Sequence, residues 1–111
     1  MATDYELIEE NETVLIHIYG RKKRGQKELE LRCSAIIDVE DFDRVSSHGE
    51  WHSFLDRKRS TSYWQVRGRD GIYLSRFILK LNPKDQLVVR YLDKNTLNCR
   101  RNNLEAVPSR R

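Results

Sequence analysis

Arginine and aromatic side chains alternate closely between Tyr63 and Tyr73, where Arg67 and Arg69 follow Tyr63 and Trp64. Guanidinium groups hold phosphates through paired N–H groups, and aromatic rings stack on nucleic-acid bases. This mixture indicates a surface that clamps phosphates or stacks on bases. The alternative is that these rings belong to the core, as aromatic residues of hairpins commonly do.

The histidines are the other residues whose chemistry suggests metal binding or proton transfer. They are His17, His48 and His52, and the last two are four residues apart. Gly49 separates that pair, however, and no third ligand stands at a suitable spacing. We therefore expect each histidine to be a surface or packing residue. We expect no metal and no other cofactor.

Positive charge is concentrated in the second half of the chain. The formal net charge is +4, but residues 1–50 contain 7 basic and 12 acidic side chains, whereas residues 51–111 contain 14 and 5. A segment with such an excess attracts polyanions, because binding releases condensed counterions. Nucleic acid, above all DNA, is the expected partner class. A basic surface that is merely solvated is the alternative.

Length, cysteine usage and hydropathy indicate a single reduced domain. The 111 residues, of which 38% are hydrophobic and 34% charged, suit one folded domain with a thin core. Cys33 and Cys99 lack disulfide or metal-ligand spacing, and no signal-like segment precedes them, so we expect a cytoplasmic protein. The longest apolar run, Thr13 to Tyr19, is too short to cross a bilayer, and we expect no membrane partner.

Apolar periodicity predicts a hairpin and a helix in the first half. The segments Thr13 to Tyr19 and Glu28 to Ile37 have the pattern of strands, joined by the basic loop Arg21 to Lys27. That loop either contacts phosphate or is solvated, and both interpretations remain open. The spacing of Val39, Phe42 and Val45 predicts a short helix within residues 38–48, which Gly49 ends.

The middle of the chain predicts a second hairpin. We expect Trp51 and Phe54 in the core and a polar loop from Asp56 to Ser62. The segments YWQVRG and IYLSRF then flank the turn Arg69 to Gly71 and have the pattern of two strands. The remaining expected elements are a helix from Arg76 that ends at Asn82-Pro83, a strand from Gln86 to Leu92, a turn from Asp93 to Asn95 and a helix from Asn98 to Leu104.

Two stretches of the last third, YLSRFILKL and VVRYLDKNTLNCRRNNLEAV, follow a known family pattern. They resemble the ββα-metal core of HNH endonucleases of the phage and intron-homing type, most specifically in the ungapped match from Leu97 to Leu104. The segment SAIIDVEDFDRVSSHGEWHSF resembles the region that precedes this core. The likeness therefore spans Ala35 to Val107. It implies an α+β fold in which two β-hairpins and short helices accompany a C-terminal ββα core, with residues 1–34 as a hairpin extension and 108–111 as a tail.

The chain departs from this family at its catalytic positions. Arg90 and Tyr91 stand where the family places its metal-binding aspartate and general-base histidine, and Ser75 replaces the histidine of a His-Arg pair. Only Asn103, at the position of the metal-ligand asparagine, remains. Phosphodiester hydrolysis requires a divalent cation on oxygen ligands and a base. Arg90 would repel that cation, and an ordinary tyrosine is protonated at neutral pH. We expect a protein that binds rather than cuts.

The charge and the resemblance together predict an interface with nucleic acid. Arg90, in the vacated metal position, pairs with a phosphate in this interpretation. In the alternative, Arg90 pairs with Asp93 while Tyr91 repacks the former site. The residues predicted to contact nucleic acid are Arg67, Arg69, Arg76, Arg90, Arg100, Arg101 and Asn103.

Two other functions remain open. The first is a small phage-type inhibitor or adaptor that binds a host protein, for example a nucleic-acid-processing or defence enzyme. Its acidic segment Tyr5 to Glu12, or its former active-site face, would meet a basic surface on that partner. The second is a working nuclease with shifted metal ligands, for instance Asp93 with Asn103.

Overall fold

The computed structural model of the chain describes residues 3–20, 25, 31–58, 61–82 and 84–109. These residues form an α+β fold in which the strands make three antiparallel sheets, so the predicted class is confirmed. The elements are β1 (Thr3–Ile8), β2 (Thr13–Tyr19), β3 (Leu31–Asp38), α1 (Phe42–Ser47), β4 (Trp51–Lys58), β5 (Thr61–Gly68), α2 (Leu74–Ile78), β6 (Leu87–Tyr91) and β7 (Leu104–Pro108). Short 3₁₀ turns occupy Glu9–Asn11, Val39–Asp41 and Arg101–Asn103.

The first sheet has the strand order β1-β2-β3, and its β2–β3 pair confirms the predicted first hairpin. Val14, Ile16 and Ile18 alternate along β2 and are all buried. Sequence reasoning missed β1, because its carboxylates hide a weak alternation in which Tyr5 packs edge-on against Phe42. The predicted basic loop lies, apart from Gly25, outside the described residues.

The predicted helix after β3 is confirmed, as a 3₁₀ turn followed by α1. Val45 faces the core and is fully buried, whereas Val39 is 40% exposed. Trp51 is also fully buried, as expected, and its indole N–H donates to the Val45 carbonyl oxygen at 2.9 Å. This hydrogen bond fixes the end of α1 against the start of β4.

The predicted second hairpin is wrong in its pairing. YWQVRG does form a strand, β5, but it pairs with β4 rather than with the residues after Gly71. Most of the predicted loop from Asp56 to Ser62 is therefore strand. The segment IYLSRF instead forms α2, because Leu74, Phe77 and Ile78 recur at helical spacing and bury one face. One bridge, Arg67 with Tyr73, is formed between β5 and this segment.

The last third contains the expected strand but not the expected final helix. β6 confirms the strand, and β7 pairs with it, while only Arg101–Asn103 of the predicted helix is helical, as a 3₁₀ turn. Asparagine side chains bond to nearby backbone groups and so compete with the helix. The helix predicted from Arg76 begins earlier, at Leu74, and ends at Ile78.

The loop between β6 and β7 binds the first sheet. The Ile36 N–H donates to the Leu97 carbonyl oxygen and the Cys99 N–H to that of Ile36, both at 2.8 Å. Because β3 spans residues 31–38, the expected boundary between residues 34 and 35 falls inside a strand. Among the described residues, no helix is long and apolar enough to span a membrane. The buried core comprises Val14, Ile16, Ile18, Cys33, Ala35, Ile37, Val45, Trp51, Val66, Leu74, Ile78, Cys99 and Leu104.

Candidate nucleic-acid interface

The β4–β5 ribbon has an inner and an outer face, because successive side chains of a strand point to opposite sides. Trp51 and Val66 lie on the inner face and are buried in the core. The register places His52 opposite Arg67 and Phe54 opposite Gln65 on the outer face. We call Tyr63, Gln65 and Arg67, which follow one another at every second residue of β5, the outer stripe.

Two of the predicted arginines meet at one end of this stripe. Arg67 and Arg69 line an open cleft of about 660 Å³ together with His52. The Arg67 guanidinium lies over the Phe54 ring, 4.5 Å from its centre, which holds the charge in a fixed place. Neither arginine forms an ion pair with a carboxylate of the described residues.

The cleft also contains two carboxylates, which oppose an anion. One of them, Asp70, accepts a hydrogen bond from the Ile72 N–H at 3.2 Å and lies 3.0 Å from His48 Nε2. His48 in turn stacks on Trp51, with ring centres 5.2 Å apart. The Asp70 carboxylate is thus held towards His48, and Glu50 is the second carboxylate of the lining.

Two of the four residues that the sequence aligned with the HNH catalytic pattern meet at the other end of the stripe. Ser75 and Tyr91 line a hollow of about 240 Å³. We call it the tyrosine hollow, and its lining comprises Tyr63, Gln65, Tyr73, Ser75, Arg76, Val88, Val89 and Tyr91. Burial raises the pKa of the Tyr91 phenol far above its ordinary value, and the Ser75 hydroxyl offsets only part of this rise. Tyr91 therefore stays neutral and cannot serve as a base at physiological pH.

The other two positions lie elsewhere. Arg90 is exposed on the opposite side of β6 from Tyr91, directly across from Glu105 of β7. Asn103 is buried and does not line the tyrosine hollow. Its side chain donates to Asp93 Oδ1 and to the Asn98 carbonyl oxygen and accepts from the Asp93 N–H, each at 2.9 Å. Asn103 thus shapes the turn between β6 and β7.

Asp93 takes part in the same turn, together with three asparagines. Its carboxylate accepts from the Asn95 N–H at 2.8 Å and from the Asn98 amide at 2.9 Å. The hydrogen bond from Asn98 is the largest cause that lowers the pKa of Asp93. In the described part of the chain, no three His, Cys, Asp or Glu side chains group closely enough to hold a metal ion.

Arg76 is also held by the protein itself. It lies in α2 and donates to the Leu87 carbonyl oxygen at 2.6 Å and to that of Asn82 at 3.0 Å. It therefore ties α2 to the start of β6. Its guanidinium still borders the tyrosine hollow.

The last two predicted arginines join the two halves of the chain. Arg100 binds Asp38 at 3.0 Å, and Arg101 binds Asp41 at 2.6 and 3.1 Å. Arg44 binds Asp41 from the other side at 3.0 Å. We call these five residues the aspartate–arginine clasp. Of the predicted arginines, four are therefore left without an ion pair among the described residues: Arg67, Arg69, Arg76 and Arg90.

Tyr73, which the sequence already indicated, lines the tyrosine hollow. Sequence reasoning missed Gln65, which lines the same hollow, and placed Phe54 in the core, whereas its ring supports Arg67 on the outer face. The signal that would have found them is the alternation of β4 with β5, which the incorrect hairpin pairing concealed. Comparison of the chain with protein-family models, with curated proteins and with solved structures finds no match.

Proposed function

We propose that the protein is a catalytically inactive, HNH-nuclease-like module that binds nucleic acid, DNA above all, through its basic C-terminal half. The observation that carries the proposal is the cleft at one end of the outer stripe. There Arg67 of β5 and Arg69 of the following turn form no ion pair with a carboxylate of the described residues. A two-stranded ribbon fits the major groove of B-form DNA, and cationic side chains along it reach the phosphates.

The absence of cutting is proposed on chemical grounds. Burial keeps the Tyr91 phenol protonated at physiological pH, so it cannot act as a general base. Arg90 lies on the opposite side of β6 from Tyr91. The proposed HNH-like scaffold therefore has neither the aspartate nor the histidine of the family pattern at these positions. Its remaining role is to present the ribbon and the tyrosine hollow.

The test is binding of the full chain to a labelled random duplex over a salt series, with magnesium in every tube. We expect affinity to fall steeply with salt and the duplex to stay intact. Arg67→Ala and Arg69→Ala should each lower the log–log salt slope by about one. Lys84→Ala removes the same charge from an exposed loop and is the matched control. A chain that binds no duplex at low salt would overturn the proposal, and cleavage would overturn its inactive character.

A second candidate, a protein-binding adaptor or inhibitor, is favoured by an apolar hollow of about 190 Å³. It is lined by Tyr5, Leu7, Val14, Val39 and Phe42, and Leu7 is 53% exposed. The segments around it, residues 3–14 and 36–43, contain nine carboxylates and no lysine or arginine, and seven of the nine remain once Asp38 and Asp41 are assigned to the aspartate–arginine clasp. Such a surface fits a partner that inserts an apolar side chain from a basic face.

The adaptor candidate is tested by recovering partners on the immobilised chain and on its Leu7→Lys variant. The adaptor function would be supported by a partner that binds the wild type directly in calorimetry and does not bind the Leu7→Lys variant. Leu92→Lys makes the same change at a leucine that is 54% exposed and does not line this hollow, and it is the control for added charge. Equal recovery by both variants would contradict a role for the apolar hollow.

A further inference from the structure

We propose that the tyrosine hollow seats one unpaired nucleobase beside the phosphates held at the Arg67 end of the outer stripe. This inference rests on the proposed binding of nucleic acid. It adds that the ligand of the tyrosine hollow is an unpaired nucleobase. A base in a duplex is stacked and paired, so the preferred substrate contains a single-stranded or bulged nucleotide.

The size of the hollow suits a ring rather than a whole ligand. At about 240 Å³ it lies below the range of roughly 300–1,000 Å³ that is typical of pockets for complete small molecules. Tyr63 and Tyr73, which are both half-buried, belong to its lining. Stacking on such rings tolerates any base, because every base has a π-face.

The polar groups of the hollow suit a neutral, hydrogen-bonding ligand. Gln65 offers both an amide donor and an acceptor, the combination that reads the edge of a base. Ser75 and Tyr91 add hydroxyl groups that hydrogen-bond to each other, and Tyr91 remains uncharged. Arg76 already gives two N–H groups to carbonyl oxygens, so it is partly engaged before any ligand enters. An anion inside the hollow would find little unsatisfied positive charge.

The neighbouring arginine supplies the charge that the hollow lacks. Gln65 and Arg67 are two residues apart on β5, which is a distance of about 7 Å along the strand. Tyr73 is bridged to Arg67 by the backbone. A nucleotide whose base enters the hollow therefore has its flanking phosphate within reach of Arg67 and of the cleft beyond it.

The first experiment compares a duplex that contains one bulged thymidine with the same duplex fully paired. We expect the full chain to bind the bulged duplex about tenfold more tightly. Tyr63→Ala and Tyr73→Ala should each abolish this preference. Tyr19→Ala removes another half-buried tyrosine, from β2, and should retain the preference. Two separate variants are used so that a folding defect in one does not decide the result.

The second experiment replaces the bulged base with 5-iodouracil and maps the photocrosslink by mass spectrometry. A crosslink to Tyr63 or Tyr73 supports the inference. A crosslink elsewhere, or equal affinity for both duplexes, would overturn it while leaving the proposed function intact. Failure to bind either duplex at low salt would instead contradict the proposed function itself.

Discussion

Asn103 shows how one residue type serves two chemistries. The sequence pattern places it at a metal-ligand position, where its amide oxygen would face a cation. In the structure its side chain makes three hydrogen bonds inside the β6–β7 turn, and it is 6% exposed. A buried amide with this set of partners has a sufficient structural reason to be asparagine.

Asn103→Ala should therefore lower stability rather than binding. The substitution leaves the Asn98 carbonyl and the Asp93 groups without their buried partner, which costs about 2–3 kcal/mol. Urea unfolding monitored by circular dichroism measures this loss. Asn102→Ala changes an exposed neighbour and should cost less than about 0.5 kcal/mol. Equal stability of the two variants would contradict the role assigned to Asn103.

The two buried cysteines should be unreactive towards thiol reagents in the folded protein. Burial raises the pKa of the Cys99 thiol to about 12, and burial also raises the pKa of Cys33. Thiolates react with disulfide reagents and thiols do not, so both cysteines should be inert in the folded protein. The chromogenic reagent DTNB should release almost no thiolate at pH 8 until a denaturant is added, and then two equivalents per chain. Rapid native labelling would show that the core around Cys99 opens.

At the scale of the element, the aspartate–arginine clasp holds the β6–β7 loop against the start of α1. Asp41 is fully buried, and burial alone would raise the pKa of its carboxyl group. The hydrogen bonds and charges of Arg101 and Arg44 outweigh burial and lower the pKa. A carboxyl group whose pKa falls on folding stabilises the native state at pH values above its pKa in the unfolded chain, which is about 4. That contribution disappears as the pH falls through the lower, folded value.

Asp41→Asn should accordingly destabilise the protein at neutral pH and change its response to acid. We expect a loss of about 2 kcal/mol at pH 7, less than for a fully buried pair, because Arg101 and Arg44 are partly exposed. The difference from wild type should shrink below pH 4. Thermal unfolding at several pH values measures it, and Asp43→Asn, on the exposed side of α1, is the control. A difference that is constant from pH 7 to pH 3 would contradict the clasp.

The elements also show where sequence patterns suffice. β2, β3 and β6 were predictable because their alternation is local and strong, and α1 because Val39, Phe42 and Val45 share one face. The β4–β5 pairing was not, since YWQVRG is equally compatible with a partner on either side. Only the burial of Trp51 and Val66 on one face of the ribbon decides between the two hairpins. The candidate site was predicted in part. Arg67, Arg69, Tyr63 and Tyr73 followed from the sequence, whereas the contact of Phe54 with Arg67 depends on the β4–β5 pairing and the tyrosine hollow depends on the packing of α2 and β6 against β5.

Ion pairs inside the folded molecule neutralise part of the charge asymmetry between the two halves of the sequence. Asp38 and Asp41 from the acidic half bind Arg100 and Arg101 from the basic half. The charge that remains for an external polyanion is therefore smaller than the count of basic residues suggests. This leaves the cleft arginines and Arg90 on β6 as separate candidates for contact. Arg67 lies on the outer stripe with Tyr63 and Gln65 of the tyrosine hollow, whereas Arg90 lines neither the cleft nor the hollow.

The same interlocking predicts that the chain unfolds as one unit. Ile16 of β2 is fully buried in a core that also contains Trp51 and Cys99, although these residues are far apart in sequence. Ile16→Ala should cost about 3 kcal/mol, as is usual for a large-to-small core substitution. Tryptophan fluorescence, which reports on the ribbon, and circular dichroism, which reports on the whole backbone, should shift to lower denaturant together.

Leu7→Ala in β1 is the control, since its exposed side chain should cost much less. If Ile16→Ala left the fluorescence transition in place while the circular dichroism transition moved, the first sheet and the ribbon would be independent units. Residues 1–34 would then be an extension that folds independently of the rest of the chain. Because β3 crosses that boundary and its backbone binds Leu97 and Cys99, we expect the two transitions to coincide.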